Sequence, residues 1–135
     1  MDAEPIVLDP DPFRDVNISQ GFRLGDLIVL SGQVAMDEHG RWEGGRDFDA
    51  QADQAMRNVQ RALRGAGSDV DKIFKVTIYL TDMMYRPNVI AMRRRWFRAP
   101  WPADTLVAVA ALGTPERLIE IEVMALADGS IRTAG

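Results

Sequence analysis

The sequence of 135 residues contains no cysteine. That excludes disulfides, thiolate nucleophiles and cysteine-held zinc, and it fits a reducing compartment. Histidine is almost as scarce. The single one, His39, stands in the turn Glu38-His39-Gly40 and reads as solvated, so no serine-histidine pair or metal cluster can be assembled around it. Positive charge is in deficit, with 16 lysines and arginines against 20 acids and a net charge of −4. A dedicated nucleic-acid binder needs a basic face, and the one basic run, Arg93-Arg94-Arg95, spans nearly a helical turn and cannot present one. Long apolar runs are missing too. The N-terminal stretch MDAEPIVLDPDPF has neither a basic start nor an apolar core, so no signal peptide or membrane span is expected. The reading is a soluble, cytoplasmic protein with no membrane or nucleic-acid partner, no cofactor and no metal.

A hydrophobic content of 47% suits one ordinary globular domain able to bury a core without staples. Pro5, Pro10 and Pro12 among acids suggest an extended arm over residues 1–16. The domain then runs over 17–128, with a tail over 129–135. "NISQGF" and "DLIVLSGQVA" read as a hairpin around Arg23-Leu24-Gly25. A glycine-rich polar loop follows, with a short extra strand near Trp42. After Asp49, a candidate N-cap, Ala52, Ala55, Met56, Val59, Ala62, Leu63 and Ala66 recur at helical spacing until Gly65 and Gly67 end the pattern. "KIFKVTIYLTD" is a β-branched strand with Phe74, Val76, Ile78 and Leu80 on one face. Pro87 suits the first turn of a second helix that groups Val89, Met92 and Trp96. Trp96, Phe97 and Trp101 read as packing at its end, and Pro100 and Pro102 stop it. Two strands, "TLVAVAAL" and "RLIEIEVMALA", complete a ββαβαββ order and an α+β class.

Two helices can cover only one face of such a sheet. In the last strand Ile119, Ile121, Val123 and Ala125 form one face, and Leu118, Glu120, Glu122, Met124 and Leu126 form the other. The second face is too apolar for open water, and "LVAVAAL" is apolar on both sides, a pattern usual for strands buried on both faces. A second copy of the chain is the economical cover, which places Glu120 and Glu122 towards a subunit boundary.

The stretches "SQGFRLGDLIVLSGQVA", "QADQAMRNVQRALRGAGS", "KVTIYLTDM" and "PADTLVAVAALGTPERLIEIEVMALA", in this order, resemble the RidA/YjgF family, also labelled L-PSP endoribonuclease-like. The likeness runs from about Ile18 to Ala127. It implies a chorismate-mutase-like fold, a homotrimer with an inner barrel, and small-molecule clefts between subunits. Archetypal members hydrolyse 2-imino and enamine acids to 2-oxo acids and ammonia. Their carboxylate-gripping arginine falls on Asp104 here, and their polar cleft positions fall on Ile18, Ile90 and Leu106. Ser31, next to Gly32, and Glu120 are retained, Glu120 being the family's positioner of the attacking water.

These residues have two readings each. Glu120 is either a general acid/base or a member of an interface ion pair. Ser31 either belongs to the cleft or satisfies a strand end, and backbone groups at Gly32 are candidate donors. Asp104 either shares a cleft with Glu120, where two carboxylates would share a proton and repel an anionic imino acid, or caps a turn or pairs with an arginine of a neighbouring subunit. In the first case a neutral or cationic ligand on aliphatic walls is expected, and Asp104→Arg should gain activity. Three functions follow: a divergent imine or enamine hydrolase, a non-catalytic binder of a metabolite or partner, and a ribonuclease, which neither charge nor residue set supports.

Overall fold

The computed structural model describes residues 1–133. The last two residues of the tail predicted over 129–135 lie outside them. Strand β1 (Ala3–Pro5), β2 (Gly21–Leu24) and β3 (Leu27–Leu30) precede helix α1 (Phe48–Gly65). Strand β4 (Ile73–Leu80), helix α2 (Arg86–Trp96), β5 (Ala103–Ala108) and β6 (Ile119–Leu126) follow. The strands form one mixed sheet in the order β1-β2-β3-β6-β4-β5, in which only β4 and β5 run parallel. Both helices lie on one face.

Helix α1 forms where the sequence places its apolar stripe. Ala52, Ala55, Met56, Val59, Ala62 and Leu63 are all fully buried, and the alanines let the helix approach the sheet closely. Its cap is Asp47, whose carboxylate accepts from the Ala50 N–H at 2.9 Å; Asp49 lies in the first turn and instead accepts from the Asn88 side chain. Helix α2 carries proline in its first turn as expected, and buries Val89 and Met92. Trp96 donates its indole N–H to Asp53 of α1, while Trp101 is 58% exposed and is not part of the helix-end packing.

Three other expectations are corrected. The first residues are not an unpacked arm: β1 pairs with β2, and Ile6, Leu8 and Phe13 are buried. The prolines restrict the backbone without keeping these apolar side chains from the core. In β4 a bulge at Ile73/Lys75 turns Phe74 away, so the core face is Ile73, Val76, Ile78 and Leu80. Strand β5, a sheet edge paired only with β4, is largely exposed within the single chain, as expected of a strand whose cover is a second copy. The predicted strand near Trp42 is a single bridge to Met36.

The last strand alternates as read. Ile119, Ile121, Val123 and Ala125 are buried under the helices, and Glu120, Glu122, Met124 and Leu126 line the opposite face. There Phe22, Leu24, Leu27 and Val29 are each more than a third exposed, in register with Met124 and Leu126. One end of the helix-free face is therefore apolar and the other carries acids.

Candidate functional site

The sequence-predicted site residues fall into two groups on opposite faces of the sheet. Ile18, Ser31, Gly32 and Glu120 form the first. Strand β3 leaves its regular pairing after Val29↔Met124 and rejoins β6 at Gln33↔Ile121, so Ser31 and Gly32 carry one more residue than the facing strand. The Ser31 hydroxyl donates to the Ser19 carbonyl at 2.6 Å, and the Ser31 N–H donates to Gln20 O at 2.8 Å. Ser31 thus ties the end of β3 to the segment holding Ile18, which is the strand-end reading. Among the described residues, the Gly32 N–H has no acceptor. It remains a free donor.

The Glu120 carboxyl lies directly against Gly32. A Cβ at residue 32 would stand 2.7 Å from Glu120 Oε2 and 2.8 Å from its carboxyl carbon. Burial pushes the Glu120 carboxyl above the ordinary glutamate range; the Arg117 guanidinium opposes this, and Glu122 adds to it. Tyr79, directly across from Glu120, gives its hydroxyl hydrogen to Glu122, and that bond pushes the phenol up.

A raised folded pKa means that the folded protein holds this proton more tightly than the unfolded chain. The stabilisation is present at acid pH and is lost as pH rises through the folded value. Glu120→Gln is therefore expected to resist urea better than the parent at neutral pH, with the difference closing below the ordinary glutamate range. A difference that does not vary with pH would contradict the burial argument.

Sequence reasoning missed the residues that hold the bulge. The buried Gln33 side chain donates to Gln20 Oε1 at 3.0 Å, and Gln20 donates to Asp11 Oδ1 at 2.9 Å. Asn58 of α1 donates to the carbonyls of Val34 and Met36, and the buried Gln51 links α1 to Glu116 O and the Leu118 N–H just before Glu120. No sequence pattern marks these amides, because their partners come from other segments of the chain.

Ile90, Asp104 and Leu106 form the second group, on the helix face. Leu106 registers with buried Ile78 and packs on the core, and Asp104 registers with buried Val76. Glu120 registers with Tyr79 on the other side of β4. Within one chain, Asp104 and Glu120 cannot share a proton. Asp104 instead accepts both arms of the Arg93 guanidinium, Nε at 2.8 Å and Nη2 at 2.7 Å. Within the chain its partner is therefore Arg93, which answers the Asp104 charge. Arg95 turns to Asp53. His39 lies in an exposed turn.

Comparison with known proteins places this geometry. The family model described as Endoribonuclease L-PSP matches residues 12–127. The chain is 34% identical over 110 residues to a 2-iminobutanoate/2-iminopropanoate deaminase of Salmonella typhimurium, covering 79% of this chain and 84% of that protein. It is 31% identical over 121 residues to the RutC family protein y4sK of Sinorhizobium fredii, covering 90% and 95%. Among solved structures, YyfA of Yersinia pestis, a Rid-family protein of unknown function, superposes with a TM-score of 0.85 at 28% identity over 93% of this chain and 99% of that one. RidA of an Antarctic Psychrobacter superposes at 0.82 and 27% identity over 91% and 98%. Among the described residues no helix is long and apolar enough to cross a membrane.

Proposed function

Because the chain belongs to the endoribonuclease L-PSP family, also called RidA/YjgF, we propose that it is a homotrimer that hydrolyses an imine or enamine in clefts between its subunits. The observation that carries this reading is Glu120, half-buried against Gly32 on the sheet face that no helix covers. The two groups of site residues face opposite ways, so a cleft containing both needs two chains. The exposed Phe22, Leu24, Leu27 and Val29 supply apolar surface for that association.

In the proposed reaction the Glu120 carboxylate takes a proton from water as the oxygen bonds to the carbon of the protonated imine, C=NH2+, and the C=N π electrons move to nitrogen, giving a neutral carbinolamine. Glu120 then gives that proton to the amine nitrogen, and as the C–N bond breaks ammonia leaves and the hydroxyl proton passes to solvent water, leaving the carbonyl compound. A carboxyl raised above its ordinary range serves both directions of transfer. The free Gly32 N–H is a donor to the oxygen. A ribonuclease activity is not proposed, since no histidine or basic face accompanies Glu120.

A second reading, a trimer that binds a metabolite without turning it over, is favoured by the aliphatic Ile18, Ile90 and Leu106 at positions that are polar in archetypal members. Imines generated from a range of amino acids by an amino-acid oxidase separate the two. The hydrolase reading expects acceleration with at least one imine. It also expects a loss of about a hundredfold in Glu120→Gln and in Gly32→Ala. In Gly32→Ala the unfolding midpoint should barely change, because the added methyl displaces only the end of a flexible side chain. Turnover with none of the imines would leave the binding reading.

A further inference from the structure

We propose that the cavity between α2 and the lead-in to β5 binds a planar aromatic carboxylate, with the ring on Trp101 and the charge on Arg94. This deepens the assignment of Ile90 and Asp104 to a ligand cleft and rests on it. The cavity, about 400 Å³, is lined by Arg93, Arg94 and Asp104 together with the apolar Ile90, Phe97, Trp101 and Pro102. That volume suits a small organic molecule.

Charge decides the class of ligand. Arg93 and Asp104 neutralise one another through their bidentate pair, and Arg95 is engaged by Asp53. Arg94 has no hydrogen-bond or ion-pair partner among the described residues. The three charged side chains of the cavity therefore leave one positive charge, carried by an exposed guanidinium. A cationic ligand would be repelled, and a neutral one would leave Arg94 unanswered.

Shape adds the ring. Trp101 is 58% exposed, and Pro100 and Pro102 on either side restrict its backbone, so little freedom is lost when a flat molecule stacks on the indole. Ile90 and Phe97 supply further apolar wall. An anion too small to reach these side chains gains only the exposed charge contact, which salt screens.

Isothermal titration calorimetry of the full chain with 2-naphthoate, 2-naphthamide and acetate tests the proposal. Naphthoate is expected to bind at least about fivefold more tightly than the amide, with acetate giving no measurable heat. Arg94→Gln should bring naphthoate down to the level of the amide, and Trp101→Ala should weaken both aromatic probes. Equal affinity of acid and amide in the parent, no binding of naphthoate, or a preference that survives in Arg94→Gln would overturn it. The readout needs no turnover, so a failure of imine hydrolysis leaves it intact and is read separately.

Discussion

With 2-iminopropionate or 2-iminobutyrate as substrate, this chain is expected to fall at least about a thousandfold below an arginine-bearing relative in kcat/KM. The archetypal clamp position holds Asp104, and the guanidinium beside it, Arg93, already has both arms on that carboxylate. To be gripped by Arg93 a small imino acid must displace Asp104, and Arg94 offers it only an exposed contact that salt screens. It also has too little apolar surface to gain much from Ile90, Phe97 or Trp101.

The structure changes which substitution should restore activity. Asp104→Arg would set a second guanidinium beside Arg93, so like charges oppose the gain that the sequence alone suggested. Asp104→Ala instead frees the Arg93 fork, and kcat/KM for 2-iminobutyrate is expected to rise by about tenfold or more. Production of the imine by threonine dehydratase, followed spectroscopically with and without added protein, reads both numbers. A parent chain as fast as the Salmonella relative would contradict the account. So would Asp104→Ala with no gain over a slow parent.

Gly21→Ala is expected to cost about 3 kcal/mol of stability and to lower Tm by about 10 °C. A Cβ at residue 21 would stand 2.3 Å from the Val29 carbonyl oxygen and 3.0 Å from Leu30 Cα. Both are backbone atoms of the neighbouring strand, so relief requires β2 and β3 to part, and with them the Gly21↔Leu30 pairing that leads into Ser31. The contrast with Gly32→Ala is physical: there the obstacle is a side-chain carboxylate that can swing away. Thermal unfolding followed by circular dichroism checks it, and an unchanged Tm would show that the strands have room to spare.

Much of the fold was legible because long periodic segments declare themselves. The stripe from Ala52 to Leu63 and the alternation from Ile119 to Ala125 each require one buried face, and both faces are where the pattern puts them. Short or locally ambiguous features were not legible. Residues 3–5 pair as an edge strand although proline and acids argue for an arm, and Phe74 loses its place to a bulge that periodicity does not signal.

Site identity was more readable than site geometry. Glu120 stood out as a carboxylate in an apolar strand, and it does lie in a half-buried, perturbed setting. The pairing of Asp104 depends on where α2 crosses the sheet edge, eleven residues earlier in the chain, and a sequence read one segment at a time does not bring them together. The amides of Gln20, Gln33, Gln51 and Asn58 were silent for the same reason, since their carbonyl partners come from other segments.

In the proposed trimer the Ile18–Glu120 side of one chain meets the Ile90–Asp104 side of another. The absence of cysteine makes it directly measurable: Ile18→Cys chains and Ile90→Cys chains are unfolded together, refolded as a mixture and treated with a short bismaleimide. A covalent two-chain product is expected in the mixture that neither variant forms alone. Only single chains of 15.0 kDa in the mixture, with both variants folded, would contradict it.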